Sequence, residues 1–353
     1  MKHFFFKIAW ILPLLLIVGG INIWIDPVHL LSDSYYEKAG QILQKSAIEY
    51  GDCDDRKLMI DFVPRKENCS VLVLGSSRTG IIDSNYTHES TLNLSLTSSM
   101  TEDLIGAYGL YVHDHSDPEK VMIGIDPYCF NKDRVRVLSS DFLLLPYYEA
   151  MAQKMGLPVK TEIQAGSLKE NKYLNIISFK YFQNSLISVW KNGFKRKEPH
   201  ACDDNKECSI KKPDGALSYK YGWMARSEDV DISVERDISE DALVGINGFT
   251  EISMERMNLL TSFFDYLGSK KVKVIFFLPP YHPTMWKYIS SQKKYDIIGE
   301  SEKIIRDIAN KRGISVIGSF SPEGYGLVSA DYYDAVHLKP SGLDKVFGKH
   351  ANE

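Results

Sequence analysis

Short, uninterrupted apolar runs recur along the chain, most of them closed by glycine, proline or aspartate. Ser70–Leu74 ends at Gly75 and Thr91–Leu94 comes next; Lys120–Ile125 ends at Asp126, Val272–Leu278 at Pro279, and Ile314–Ile317 at Gly318. A run that is apolar at every position is buried on both faces, as in a parallel sheet covered by helices. Between the runs, Thr101–His113, Ile252–Leu267 and Ser301–Arg312 carry apolar residues at helical spacing. Thr101 and the acidic residues after it suit a cap and first turn. This alternation predicts an α/β fold with a doubly wound (flavodoxin-like), mostly parallel sheet and right-handed crossovers. Residues 130–245 do not fit a minimal sheet and read as a largely helical insertion. Residues 27–68 read as a polar, partly helical lead-in.

The N-terminus has a different pattern. Residues 8–25 form an apolar run of 18 residues without a charge. At about 1.5 Å per residue this makes roughly 27 Å of helix, enough to cross a hydrocarbon core. Lys2 and Lys7 precede the run and Asp26 comes directly after it, so the positive-inside rule puts the tip in the cytoplasm and the rest outside. A cleaved signal peptide is the rival. The length of the run and the lack of a small-residue cleavage site after it favour an anchor. The expected layout is a cytoplasmic tip and transmembrane anchor over 1–26 and an extracytoplasmic domain over 27–353. The expected location is the inner (cytoplasmic) membrane, single-pass, with that domain in the periplasm.

Composition adds bounds. A chain of 353 residues with 44% hydrophobic and 25% charged residues has room for one large domain with an insertion. A net charge of -4 and a pI near 6.2 argue against nucleic acid, which favours a basic surface. Lys191, Lys195, Arg196 and Lys197 cluster locally. They read as a solvated helix end rather than as contact with anionic lipid or glycan. The five cysteines suit an oxidising compartment. Cys202 and Cys208 are spaced to close a small ring, as are Cys53 and Cys69, with Cys129 left buried beside a strand end. A metal site at His200, Cys202, Asp203 and Cys208 is disfavoured, because no paired short-spaced ligand motif appears. His113 and His115 diverge on a helix and read as surface residues.

In sheets of this type ligands bind beyond the carboxyl ends of the strands. The first run ends in Gly75-Ser76-Ser77-Arg78-Thr79-Gly80, a tight turn that offers backbone N–H donors to an oxyanion. It is neither a G-x-S-x-G elbow nor a Walker A loop. Near the C-terminus stands Asp331-Tyr332-Tyr333-Asp334-Ala335-Val336-His337-Leu338. A serine nucleophile needs a base, and the base needs an orienting carboxylate; an Asp three residues before a His supplies one locally. The fourth run ends in Pro279-Pro280-Tyr281-His282-Pro283. Tyr281 and His282 there are candidates for substrate contact, against the plainer reading of a rigid proline loop.

Together the two motifs resemble the SGNH (GDSL-like) hydrolase superfamily. The anchor and Gly-Ser-Ser look like its envelope acyltransferase branch, the DltD-like and alginate O-acetylation proteins. The resemblance covers roughly residues 70–130 and 250–350. It implies Ser77 as nucleophile, His337 as general base and Asp334 as its orienting acid, with no metal or organic cofactor. It also implies transfer or removal of a small acyl group, acetyl by preference, on a cell-envelope polysaccharide. A membrane-bound O-acyltransferase is the implied partner. Three positions depart from the family pattern. Ser76 stands where an Asp usually precedes the nucleophile. Asn93–Ser99 lacks the glycine of the second block, leaving Ser95 or Ser98 as candidate oxyanion donors. Asp126 replaces the Asn of the third block, either facing the oxyanion in protonated form or bonding the turn after it. A second class of function, a catalytically silent scaffold binding a glycan or a membrane partner, rests on Asp126 and the missing glycine.

Overall fold

In a computed structural model the chain is described over residues 2–51, 53–134, 142–158, 176–202, 208–219, 227–241, 243 and 245–351. The fold is α/β. Five parallel strands, β1 (Val71–Leu74), β2 (Thr91–Asn93), β3 (Lys120–Gly124), β4 (Lys273–Leu278) and β5 (Ser315–Gly318), lie in the order β2-β1-β3-β4-β5. The apolar runs became strands because both faces are covered: Leu72, Val73, Leu74, Ile123, Phe276 and Phe277 are all fully buried. Each such side chain contributes about 1.5–3 kcal/mol of burial. β5 is an edge and is partly exposed, which suits its weaker apolar run. Strand order reverses beside β1, so the carboxyl ends of β1 and β3 flank a crevice.

The longer helices are α1 (Lys2–Ile25), α2 (Asp33–Ile42), α3 (Asp55–Phe62), α4 (Thr101–Asp114), α5 (Leu145–Lys154), α6 (Phe179–Asn192), α7 (Ser227–Ser239), α8 (Met254–Ser269), α9 (Pro283–Ser291), α10 (Asp296–Arg312) and α11 (Pro340–Ala351). Thr101 is not the cap of α4 but its first helical residue. Met100 is the cap, with the Asp103 carboxylate accepting its N–H at 2.9 Å. Asp103 is also paired with Arg56 of α3 at 2.9 Å. The lead-in is therefore part of the core: Tyr36, Leu43, Leu58 and Phe62 are buried against the sheet domain.

Residues between β3 and β4 supply α5, α6 and α7 and also a hairpin, Ile210–Lys211 with Leu217–Ser218, that pairs with Ile48–Glu49. Strands of two residues leave no alternating pattern, so this small antiparallel sheet was not foreseeable. The hairpin covers the free edge of β2, where the Asn93 N–H donates to Asp214 O at 2.7 Å.

The expected anchor over 8–25 falls on α1. The side chains of its first half lie outside the described residues, and among the described residues no helix is long and apolar enough to cross a membrane.

The cysteines sort by environment. Cys202 Sγ and Cys208 Sγ are 2.7 Å apart. Cys53 and Cys69 do not pair; Cys69 instead contacts the Tyr111 hydroxyl at 3.4 Å. Cys129 is buried, and burial pushes its thiol up to about 12. Peptide mapping of unreduced protein is expected to recover Cys202 linked to Cys208, and native-state alkylation is expected to spare Cys129 until the chain is unfolded. Recovery of Cys53 linked to Cys69 would contradict this structure.

Candidate active site

The Ser77 turn begins where β1 leaves the sheet. Gly75 and Gly124 lie side by side at the ends of β1 and β3, and a Cβ on either would collide with the Thr79 side chain. Their bareness lets Thr79 fill the space between the strand ends. There its hydroxyl meets Ser76 O at 2.8 Å and Ser95 Oγ at 2.7 Å. Ser76 is the cap, with its hydroxyl accepting the Arg78 N–H at 3.2 Å. Ser77–Thr79 then make a single 3-10 turn, so no helix dipole acts on Ser77. The Thr79 N–H is spent on Ser76 O at 3.1 Å. The Ser77 N–H is a donor that this turn keeps beside the Ser77 hydroxyl.

The base arrives from the other end of the chain. His337 Nε2 lies 2.8 Å from Ser77 Oγ, and His337 Nδ1 lies 2.7 Å from Asp334 Oδ2. With Nδ1 protonated toward Asp334, Nε2 accepts the serine hydroxyl. The other Asp334 oxygen accepts the Val336 and His337 N–H groups, both at 2.8 Å. Burial would raise the Asp334 pKa, but the hydrogen bond and charge of His337 and the two N–H groups outweigh it and hold the carboxyl below its ordinary value. The stability this pairing contributes is thus fully present above about pH 3.9, the ordinary value. It is lost as pH falls through the lowered one. His337 and Asp334 are 19% and 33% exposed in their side chains, so solvent reaches the site.

The base loop is held from three sides. The His282 N–H donates to Ala335 O at 3.0 Å and the Tyr332 hydroxyl to Tyr281 O at 2.8 Å. Asp331 takes the Ser341 hydroxyl at 2.9 Å and Lys345 Nζ at 2.6 Å. Asp331, rather than Asp334, therefore secures the last helix, and Asp334 is left for His337.

Arg78 was missed from sequence and is central. Its guanidinium is buried and satisfied: Nη1 to Asp126 Oδ1 at 2.7 Å, Nη2 to Pro279 O at 2.5 Å and Pro280 O at 3.1 Å, Nε to Val336 O at 3.1 Å. It stacks 4.3 Å over the Tyr281 ring. Burial lowers the Arg78 pKa, but Asp126, together with Tyr281 and Tyr128, outweighs it and the value is raised overall.

This arrangement corrects several expectations. Asp126 is committed to Arg78 and does not cap the turn after it with its side chain, so neither reading of it from sequence holds. Tyr281 and His282 are 3% and 0% exposed. Tyr281 supports Arg78, with burial pushing its phenol up to about 12 against the pull of that cation. His282 caps α9 through Thr284 N–H at 3.2 Å, and burial lowers its pKa although Asp231 and Asp334 oppose this. Neither side chain lies open to substrate. The Ser95 N–H is spent on Asn93 Oδ1 at 2.9 Å, so it is not an oxyanion donor. Ser98 stands farther along the same loop in left-handed backbone, φ 53°. From the insertion, Tyr219 meets Tyr333 edge-on at 5.1 Å and adds a wall beside the base loop.

Among the described residues no group of three His, Cys, Asp or Glu side chains gathers as a metal site; Asp203 lies outside them. His115 is not a bare surface residue, since its ring nitrogens reach Lys66 O at 2.7 Å and Tyr111 O at 3.0 Å. No protein-family model matches the chain, and no curated protein sequence matches it.

Two substitutions test this geometry. Asn at 334 keeps an oxygen for the two backbone N–H groups but turns an NH2 toward His337 Nδ1, forcing the wrong tautomer. Asp334→Asn is expected to stay folded and to lose serine reactivity roughly ten-thousand-fold, read as the rate of fluorophosphonate labelling. Arg78→Met leaves Asp126 as a buried unpaired carboxylate and is expected to cost about 3–5 kcal/mol in urea unfolding. Adding Asp126→Asn should return part of that loss; strict additivity of the two would mean the pair is not coupled.

Proposed function

We propose that the chain is a serine-dependent acyltransferase or esterase of SGNH-like, doubly wound architecture. The observation that carries this is the unbroken relay Ser77–His337–Asp334, at 2.8 and 2.7 Å, set at the carboxyl ends of parallel strands. Ser77 Oγ attacks an acyl carbonyl while His337 Nε2 takes its proton. The tetrahedral oxyanion forms beside the Ser77 N–H, and one such donor is worth roughly a hundred- to thousand-fold in rate. The intermediate collapses, the donor's leaving group departs with the proton from His337, and the acyl group remains as an ester on Ser77. An acceptor hydroxyl, or water, then gives its proton to His337 and attacks that ester, releasing the acylated acceptor or the free acid and restoring Ser77.

The acceptor we favour is a cell-envelope polysaccharide, and the acyl group acetyl; both rest on the family resemblance. The half-open triad suits a polymer better than a closed pocket would. Residues 8–25 would hold the chain in the inner membrane with the domain periplasmic, beside a membrane-bound O-acyltransferase as acyl supplier. The silent-scaffold reading retains one observation, the Ser95 N–H spent on Asn93, which removes the most obvious second oxyanion donor.

The test is intact mass of the full detergent-solubilised chain after fluorophosphonate treatment. A single adduct on the wild type, absent from Ser77→Ala, is expected, together with slow turnover of p-nitrophenyl acetate by the wild type alone. No adduct on either protein would sink the catalytic reading in favour of the scaffold.

A further inference from the structure

α6, and the half of α1 whose side chains are described, bury polar groups and expose large apolar side chains. On α6, Tyr181 and Ser185 form the buried face, while Phe179, Leu186, Ile187 and Trp190 are exposed, Trp190 at 84%. At 100° per residue Phe179, Leu186 and Trp190 share one stripe, opposite Tyr181. α1 repeats the arrangement: Asn22, and Asp26 just beyond the helix, are fully buried, and Leu16 and Trp24 are 68% and 60% exposed. The buried polar groups bond one another. Ser185 Oγ donates to Asn22 Oδ1 at 2.8 Å, Asn22 Nδ2 to Ile176 O at 2.6 Å, and the Tyr181 hydroxyl to Asp26 Oδ1 at 2.6 Å. Of the 15 exposed large apolar side chains among the described residues, 12 lie in segments 14–24 and 177–194.

In water this distribution is unfavourable twice over, since it exposes a contiguous apolar patch and buries polar groups. Against lipid it is the expected one, because polar groups must find partners inside and apolar ones face acyl chains. α6 has 14 residues, about 21 Å at ~1.5 Å each, too short for a ~30 Å hydrocarbon core. Its contacts also fix its direction. Points from Ile176 to Arg196 all land on the short stretch Gly19–Asp26: Ile176 packs near Gly19, Ser185 meets Asn22, and Arg196 donates to Ile23 O at 2.6 Å. α6 therefore crosses α1 instead of running along it. Lys180, Lys191 and Lys195 are exposed around the apolar stripe, where cations meet anionic headgroups. Arg196 is tied to α1 and Lys197 to Glu49 at 3.1 Å, so the basic cluster is only partly a solvated helix end.

We propose that α6 is an interfacial helix, lying in the outer headgroup–acyl boundary of a phospholipid bilayer where α1 emerges from it. This rests on the reading of residues 8–25 as an anchor. Trp24 and Trp190 then sit at the level where indole rings concentrate.

The full chain would be reconstituted into mixed phosphatidylethanolamine and phosphatidylglycerol vesicles and floated on a density gradient. The emission of Trp190 would be taken as the difference between wild type and Trp190→Phe, a substitution at an exposed position. Phospholipids brominated near the headgroup end of the acyl chain, or near its methyl end, supply the depth scale. The expected result is a blue-shifted Trp190 emission quenched several-fold more by the shallow bromines than by the deep ones. A chain that floats while Trp190 emits as a water-exposed, unquenched indole would overturn the interfacial helix and leave the anchor standing. A chain that fails to float would overturn both.

Discussion

One buried cation decides how the site is assembled. Arg78 comes directly after Ser77, and its side chain binds the ends of β3 and β4 and the residue before His337. Taking a guanidinium and a carboxylate out of water costs several kcal/mol each, and their attraction returns roughly that amount. The pair is thus poorly explained as a source of stability. Its contribution is position. Each nitrogen of the planar fork has its own acceptor, and the Tyr281 ring closes one face. A lysine would carry the charge but not the directions.

That positioning matters because serine and histidine are far apart in the chain and must meet within hydrogen-bond distance. A displacement of about 1 Å at a catalytic contact costs on the order of a hundred-fold in rate. Arg78 Nε holds Val336 O, and the next residue is His337. The same side chain pairs with Asp126, so the strand end that departs from the pattern of the resembled family places no unpaired carboxylate at the Ser77 turn. The departure and the residue after Ser77 are one feature: an Asp at 126 can be buried there because an Arg stands at 78.

Much of this was legible in the sequence, and the physics separates what was from what was not. The sheet was legible because strands buried on both faces are apolar at every position. The contact of Asp334 with His337 was legible because the two sit three residues apart; Ser77 could be joined to them only through the family resemblance, since a serine after a strand and a glycine is a weak signal by itself. Arg78 was not, since its partners lie 48, 201 and 258 positions away and no local spacing reports such pairing. Tyr281 and His282 were placed correctly on the site face of the sheet but in the wrong layer. A sequence tells which strand end a residue comes after and not which way its side chain turns. α6 misled in another way: its helical character was legible, but only contacts show that its polar stripe is the buried one.

The insertion between β3 and β4 becomes intelligible when its two ends are taken together. α6 lies against α1, and the chain leaving it runs back along the lead-in, with Lys38 paired to Glu198 at 2.8 Å and Cys202 N–H bonded to Ala47 O at 2.9 Å. It then forms the hairpin whose Leu217 N–H donates to Gly80 O at 2.7 Å, at the end of the nucleophile turn. A series of backbone and ionic contacts therefore joins the inside-out helix pair to the turn that carries Ser77. If the pair lies at a bilayer surface, the orientation of the triad relative to that surface is fixed by folded structure and not by a tether. A flexible linker after a membrane anchor would leave the site free to sample a hemisphere of solution. A lead-in buried in the core and an insertion bonded to it remove that freedom.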